Sequence, residues 1–231
     1  MAIKADALIV APHTDDAEFG IAGTVCNWVH QGKVVVYCIV TNGDKGTSDT
    51  TLTPAELVEL RQKEQWDAAR KLGVADVAFL GYHDQELEDT ADLRKDIVRQ
   101  IRLYRPETVA TTDPYRRYIW HRDHRICGQV VMDAVYPFAR DHLAYPDLFA
   151  QGYLPHKVKE VLTWGTEDPN YWSDITESFE SKIAALACHK SQVGRRDSHQ
   201  LYLQLKSRAT DMAKGQSFKL AEAFHRVEIL M

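Results

Sequence analysis

Two short clusters of histidine and aspartate are the residues of this chain best suited to do chemistry. The first contains His13, Asp15 and Asp16 and directly follows an apolar stretch, whereas the second, residues 121–124 (HRDH), lies far downstream. Together they supply enough imidazoles and carboxylates for a catalytic metal site, which needs three ligands and a further carboxylate free to act as a base. The two clusters therefore predict a metal-dependent hydrolase.

Turn geometry indicates how the first cluster would work. Residues three apart face the same side of a turn, so His13 and Asp16 can aim at one point, where His124 would complete the ligand set. We expect Zn²⁺ on these two histidines and one carboxylate, with Fe²⁺ or Mn²⁺ as the alternatives that the same ligands suit. Asp15 would point away from Asp16 and could take a proton from a water on the metal.

The second cluster offers groups that act on the substrate or on the ligands. His121, when protonated, could stabilise an oxyanion and then protonate a leaving amine. Asp123 could hydrogen-bond a ring nitrogen and fix its tautomer. Each cluster alone has a plainer interpretation, because the first could cap a helix and the second could be solvated residues that open one. Their joint occurrence after predicted strands favours the metal site.

Strand and helix signals alternate along the chain. Strands are predicted over residues 7–10, 34–41, 77–80, 108–112 and 158–164, and helices over residues 18–31, 54–72, 93–104, from the second cluster to about 136, 175–190 and 201–224. This alternation predicts an α/β fold with a mostly parallel sheet and helices on both faces. Because ligands bind outside the carboxyl ends of the strands in such sheets, the polar segments should gather at one edge.

Length and composition narrow the class of protein further. A chain of 231 residues with 45% apolar residues suits a single domain over residues 1–231. The net charge of −5 argues against nucleic acid as a partner, and no apolar run reaches the roughly 18 residues of a membrane span. Scattered cysteines and the lack of a signal-like start lead us to expect a cytoplasmic protein. The aromatic segment 136–156 is a candidate surface for homo-oligomer formation.

At the two clusters the chain resembles the PIG-L/LmbE-like family of zinc-dependent N-deacetylases. That family carries an [AP]-H-[PA]-D-D motif after its first strand and an H-x-D-H motif further on. Here the motifs read PHTDD at residues 12–16 and HRDH at residues 121–124. Supporting matches extend the resemblance over most of the chain, at residues 41–46, 61–74, 80–84 and 189–192. Thr14 stands where proline is commoner in the family, and Ala17 where glutamate is frequent.

The resemblance implies a Rossmann-like, three-layer fold and removal of an N-acetyl group from a small sugar-linked substrate. It implies His13, Asp16 and His124 as metal ligands, Asp15 as general base, and His121 as general acid or oxyanion stabiliser. Arg61 and Asp84 match positions that contact sugar hydroxyls in some members, and His189 lies in a matching segment that we interpret as part of the substrate site.

These last three residues also have plainer interpretations. Arg61 could form a surface pair with Glu64 one helical turn on. Asp84 could accept backbone hydrogen bonds in a turn, and His189 could bind the last carbonyls of a helix. A further candidate is a sugar-stacking or anion-binding wall within residues 115–120, made by Tyr115, Arg116, Arg117, Tyr118 and Trp120. Tyr118 and Trp120 could equally belong to the core.

Two other functions fit the same residues. One is an amidase or esterase that acts on a non-sugar substrate, and hydroxyl contacts by Arg61 and Asp84 would argue against it. The other is a non-catalytic, metal-dependent sugar-binding protein. Asp15 argues against this second alternative, because binding alone does not need a free base beside a complete ligand set.

Overall fold

A seven-stranded sheet organises the part of the chain that the computed structural model describes, residues 3–118, 121–194 and 196–229. The strands are β1 (Ala7–Ala11), β2 (Val35–Thr41), β3 (Asp76–Tyr82), β4 (Thr108–Thr112), β5 (Glu160–Trp164), β6 (Tyr171–Asp174) and β7 (Ala221–Glu228). Their order in the sheet is β3-β2-β1-β4-β5-β7-β6. The first five strands are parallel, and β7 runs antiparallel to both of its neighbours.

Helices cover both faces of this sheet. They are α1 (Asp16–Gly20), α2 (Ala22–His30), α3 (Pro54–Leu72), α4 (Ala91–Tyr104), α5 (Arg122–Asp133), α6 (Pro146–Ala150), α7 (Phe179–Leu186), α8 (Lys190–Val193) and α9 (Ser198–Met212). Alternate residues of β1 enter different cores, since Leu8 packs with residues of α4 and α5, whereas Ile9 packs with residues of α2 and α3. The predicted Rossmann-like, three-layer α/β fold is confirmed.

The strand order creates a crevice at the carboxyl ends of β1 and β4. The chain proceeds from β1 outward to β2 and β3 and then returns to place β4 on the other side of β1. Such a reversal leaves an opening between the two halves of the sheet, where ligands bind in open α/β folds. The first polar cluster follows β1 and the second lies beyond the end of β4, so both meet at this opening.

The start and end of α3 follow the signals read from the sequence. The Thr53 hydroxyl accepts a hydrogen bond from the backbone N–H of Glu56, and the Glu56 carboxylate accepts one from the backbone N–H of Thr53. This reciprocal capping satisfies donors that the first turn leaves free. The helix ends before Gly73, which adopts a left-handed φ of 75° that glycine allows at little cost.

The predicted helix over residues 201–224 is wrong at its end. α9 stops at Met212, and β7 forms a strand from Ala221 between β5 and β6. Alanine and glutamate have high helix propensity, but pairing with two neighbouring strands overrides that preference. β6, a four-residue edge strand, was not predicted at all.

Buried ionic contacts fix β7 against the helices. The carboxylate of Glu222 accepts hydrogen bonds from the backbone N–H groups of Gly23 and Thr24 at 3.0 and 2.8 Å. It also forms a 2.6 Å ion pair with Lys182, which donates to the carbonyl of Phe19. Because both charges are buried and well bonded, the pair favours one placement of this strand.

Three other predicted helices differ in their bounds. The helix predicted over residues 18–31 is interrupted at Ile21, whose φ of −143° separates α1 from α2. The one predicted over residues 175–190 is α7 followed by the short α8. The helix after the second cluster ends at Asp133, and a π-helical turn, Ala134–Phe138, continues it. Among the described residues, no helix combines the length and apolarity that crossing a membrane requires.

Candidate active site and metal centre

The first cluster forms a tight turn between β1 and α1. Asp15 adopts a left-handed backbone conformation with a φ of 81°, and α1 begins at the next residue. The turn brings Oδ2 of Asp16 to 3.0 Å from both the backbone nitrogen and Nδ1 of His13. The two side chains therefore face one point, as the three-residue spacing predicts.

The first turn of α5 brings the second cluster to the same point. Nε2 of His124 lies 3.2 Å from Oδ2 of Asp16. Donor atoms of His13, Asp16 and His124 all lie within 4.8 Å of one another. Two imidazoles and one carboxylate form the donor set of catalytic zinc and non-haem iron sites. The side chains present thus fit a divalent metal ion.

A second group of side chains with metal-ligand chemistry shares His13 and adds Asp84, His121 and Asp123. Asp123 is fully buried, and its carboxylate accepts hydrogen bonds from the backbone N–H groups of Gln85 and Leu87 at 2.6 and 3.3 Å. Its Oδ2 also lies 3.0 Å from Nε2 of His13. A carboxylate with these contacts can orient a metal-binding histidine through the ring nitrogen that does not face the metal.

The electrostatic field at His13 favours a positive charge. Burial alone would lower the pKa of His13, but hydrogen bonds to three surrounding carboxylates outweigh it and raise the pKa to about 12. Burial would likewise raise the pKa of Asp16, but the nearby rings of His124 and His13 hold it well below its usual range. A site that stabilises an imidazolium so strongly also suits a metal cation, which would bind the neutral ring instead.

Asp15 faces a different side of the turn from Asp16. Its side chain lines a cavity of about 180 Å³, whereas Asp16 lines a second cavity of about 170 Å³. Burial, reinforced by the carboxylates of Asp16 and Glu18, raises the pKa of Asp15 well above its usual range. A carboxylate with a raised pKa is a stronger base, so Asp15 can accept a proton from a group in the cavity.

His121 does not have the protonation state that we expected. Its Nδ1 accepts a 3.2 Å hydrogen bond from the backbone N–H of Asp123, so the ring proton belongs on Nε2. Burial, and then the positive charge of His13, lower the pKa of His121 below its ordinary value. In the metal-free protein these contacts favour a neutral ring with an Nε2–H donor over the protonated His121 that we expected.

Arg61 holds the loop after β2 rather than lying on a helix surface. The side chain is 2% exposed, and Nη1 donates to the carbonyls of Gly43 and Lys45 at 2.6 Å each. Gly43 has a φ of 68°, and a Cβ there would lie 2.9 Å from Cδ of Arg61. The loop and the arginine thus fit tightly together, and the proposed surface pair with Glu64 is wrong.

Asp84 lies between Arg61 and His13 in the structure. Its Oδ1 is 3.2 Å from Nε2 of His13, and its Oδ2 is 3.7 Å from Nη1 of Arg61. All three side chains line the 180 Å³ cavity together with Lys45. Asp84 is therefore at the edge of the cavity, where a ligand could reach it, but it already contacts two cationic groups.

His189 lies beneath the site and not on the cavity wall. It is fully buried, and its Nε2 lies 3.1 Å from Oε2 of Glu18, which is also fully buried. The expected direct contact between His189 and a substrate is therefore corrected, because no surface of this ring is open to the cavity. Sequence reasoning missed Glu18, whose position in the first turn of a helix resembles a common N-terminal charge.

The candidate wall over residues 115–120 is only partly described. Tyr115 and Tyr118 are 68% and 86% exposed, so the alternative of a core position is wrong for Tyr118. Arg117 forms an exposed 2.9 Å pair with Glu167. Trp120, the other proposed aromatic of this wall, lies outside the described residues.

Comparison with known proteins identifies the family of this chain. A family model described as "PIG-L: GlcNAc-PI de-N-acetylase" matches residues 8–135, more than half of the chain. This chain belongs to the PIG-L family. It is 37% identical to the diacetylchitobiose deacetylase of Thermococcus kodakarensis, with 80% of this chain and 69% of that protein covered.

Two further PIG-L comparisons agree with this assignment. The chain is 27% identical to a probable N-acetyl-alpha-D-glucosaminyl L-malate deacetylase 2 of Bacillus anthracis, with 80% of each chain covered. The solved structure of the N,N'-diacetylchitobiose deacetylase from Pyrococcus horikoshii superimposes with a TM-score of 0.92 and 30% identity, over 97% of this chain and 84% of that chain. Motifs, fold and relatives therefore point to the same family.

Proposed function

We propose that this PIG-L protein is a metal-dependent deacetylase that hydrolyses the N-acetyl group of an amino sugar or its conjugate. The observation that carries the proposal is the placement of His13, Asp16 and His124 around one point, with the free carboxylate of Asp15 facing the adjacent cavity. The relatives that are named as deacetylases of acetylated sugars support the choice of bond and substrate.

We assign the metal to His13, Asp16 and His124, with Zn²⁺ as the preferred ion and Fe²⁺ or Mn²⁺ as alternatives. When bound, a divalent ion supplies Lewis acidity, which lowers the pKa of a water and polarises an acyl carbonyl. Asp123 supports this assignment, because a carboxylate on the other ring nitrogen of His13 fixes the tautomer that leaves Nδ1 free as a ligand.

Asp15 acts as the general base in this proposal. Its carboxylate removes a proton from the attacking water, whose oxygen forms the new bond to the amide carbon. When the carbon–nitrogen bond breaks, Asp15 returns that proton to the departing amine, and the products are acetate and the free amino sugar. The raised pKa of Asp15 suits both steps, since the group must accept a proton and then release it.

His121 stabilises the negative oxygen that forms during attack. Its neutral ring offers Nε2–H as a donor, because Nδ1 already accepts from the backbone of Asp123. A donor that is fixed before the reaction costs no reorganisation when charge develops. His121 thus acts as a hydrogen-bond donor, and proton delivery to the amine falls to Asp15.

The polar cavity beside Asp15 is the proposed place for the sugar. Lys45, Asp84 and Gln85 line it and can bond hydroxyl groups. Arg61 shapes the cavity mainly by holding the loop around Gly43. A small acetylated sugar, alone or in a conjugate, is therefore the expected partner, while the single domain, self-association and cytoplasmic location stay predictions.

The test is release of free amine and acetate from N-acetylglucosamine and from diacetylchitobiose. Protein loaded with Zn²⁺, Fe²⁺ or Mn²⁺ is compared with the metal-free protein and with Asp15→Ala. We expect release by loaded wild type alone. Failure of every loaded sample on both sugars, at full metal content, would reject the sugar deacetylase and favour an amidase for non-sugar substrates.

A further inference from the structure

A chain of hydrogen bonds through three fully buried side chains runs from His189, just before α8, to the backbone of Asp15. Nε2 of His189 lies 3.1 Å from Oε2 of Glu18, and Nε2 of Gln65 donates to Oε1 of Glu18 at 3.0 Å. Oε1 of Gln65 then accepts a 3.2 Å hydrogen bond from the backbone N–H of Asp15. His189, Glu18 and Gln65 are each 0% exposed, so water does not compete for the contacts among these three side chains.

The direction of this chain is fixed by the chemistry of its members. A backbone N–H can only donate, so the amide oxygen of Gln65 must face Asp15, and the NH₂ group of Gln65 is left to donate to Glu18. Nε2 of His189 contacts the second carboxylate oxygen of Glu18 and limits the rotation of this carboxylate. The amide of Gln65 therefore has one orientation only, and that orientation presents an acceptor to the peptide of Asp15.

The peptide of Asp15 needs such support because its conformation is unusual. A φ of 81° at a residue with a side chain is uncommon and persists only where surrounding contacts enforce it. This turn sends the carboxylates of Asp15 and Asp16 into different cavities although the residues are adjacent. One carboxylate can then serve the metal while the other faces the substrate.

We propose that Gln65 is a positioning residue for Asp15. The buried pair of Glu18 and His189 acts through Gln65 by holding its amide in the working orientation. The proposal rests on the proposed function, because placing Asp15 affects turnover only if Asp15 is the base. It assigns Gln65 on the inner face of α3, with Glu18 and His189 behind it, to the support of the reaction, and all three side chains are fully buried.

Two variants remove the network in different places. Gln65→Met keeps the length of the side chain but removes both hydrogen bonds, and Glu18→Met removes the group that orients the amide. We expect kcat for acetate release to fall by about 100-fold in each, because a misplacement of roughly 1 Å can have that effect. We expect KM to stay within about twofold and metal content to match wild type, since Asp15 is not a ligand.

A conservative variant separates positioning from a merely structural role. In Glu18→Gln the new amide oxygen can still accept from Gln65, while its NH₂ group faces Nε2 of His189. Nδ1 of His189 has no hydrogen-bond partner among the described residues, so the ring proton can move there and free Nε2 to accept. Glu18→Gln should therefore recover most of the turnover that Glu18→Met loses.

Ser191→Ala is the matched control. The Ser191 hydroxyl donates to Glu64 at 2.6 Å, close to the network but without contact to Gln65 or Asp15. Its kcat should equal that of wild type. If Gln65→Met does not fold, Gln65→Asn replaces it as the test. Asparagine keeps the amide group, but its side chain is one methylene shorter and cannot reach both partners, so the same loss of kcat is expected.

The outcomes distinguish the two proposals. If the wild type is active and Gln65→Met or Gln65→Asn keeps the full wild-type kcat, the positioning role is overturned. The proposed deacetylase function would still stand. Loss of metal along with turnover would also overturn it, because the network would then support the ligands instead. An inactive wild type at full metal content would reject the deacetylase itself, and the positioning role would fall with it.

Discussion

The turn that follows β1 has an outer and an inner face with opposite properties. On the outer face His13, Asp15 and Asp16 line cavities, and their pKa values are shifted far from the ordinary ones. On the inner face Thr14 and Glu18 are fully buried and hydrogen-bonded to distant helices. The residues that can react and the buried residues that support them thus belong to one short segment but lie on different faces of it.

The difference shows why a reactive cluster needs a separate support. Burial, and then repulsion from the neighbouring carboxylate of Asp16, raise the pKa of Asp15 and make its ionised form costly. A left-handed residue in the same turn adds backbone strain of order 1–3 kcal/mol. Two hydrogen bonds offset part of that cost, because Gln65 accepts from the backbone N–H of Asp15 and Gln192 donates to the carbonyl of Thr14. Changes to the outer face should therefore remove groups that take part in the chemistry directly, whereas changes to the inner face should act indirectly, through the placement of Asp15 and the stability of the turn.

The largest effect is expected from Asp15→Asn on the outer face. Asparagine keeps the shape of the side chain but cannot accept the proton, so kcat should fall by about 10²- to 10⁴-fold. Metal content, measured by elemental analysis, should remain at the wild-type value. A variant that retains more than about a tenth of wild-type kcat would show that another group is the base.

A smaller effect is expected from Asp123→Asn, which weakens the support of a metal ligand. The amide cannot stabilise the ring of His13 as the carboxylate does, so metal affinity should fall by about 10- to 100-fold. Chelator competition measures this affinity. Asp113→Asn is the control, since Asp113 accepts from the backbone of Tyr115 and its variant should bind metal normally. Equal affinity in both variants would contradict the role of Asp123.

The pH dependence of metal binding gives a third test of the outer face. The pKa of His13 is raised to about 12 without metal, so the ring is protonated at neutral pH and must lose a proton to become a ligand. Metal affinity should therefore rise with pH, by about tenfold per unit from pH 6 to pH 8 for one released proton. Affinities that do not change over this range would mean that His13 is already neutral.

The outer face could be predicted from the sequence, and the inner face could not. His13, Asp15 and Asp16 are neighbours that follow a predicted strand, so their chemistry and their place in the fold can be inferred together. The roles of Gln65 and His189 depend on their contacts with Glu18, which is far from both residues in the sequence. A lone buried glutamine has no periodicity or motif that signals such a contact.

Similar reasoning explains which parts of the fold were missed. Parallel strands such as β2 are apolar throughout, because both faces are buried, and their pattern is unambiguous. β7 lacks a strict alternation of apolar and polar residues and contains helix-forming alanine and glutamate, so local preference favours a helix. Pairing with β5 and the buried contact of Glu222 to Lys182 decide its structure, and neither is visible locally.

The smallest effect is expected from Ser191→Ala in α8, the helix whose Gln192 contacts Thr14 on the inner face. The variant removes a 2.6 Å hydrogen bond to a buried oxygen of Glu64, so the free energy of unfolding should fall by about 1 kcal/mol. Denaturant unfolding measures this loss. Because no bond to the turn itself is broken, kcat and metal affinity should match wild type. A tenfold drop in kcat would show that any loosening of α8 reaches Asp15, and the division between the two faces would then be less sharp than the contacts indicate.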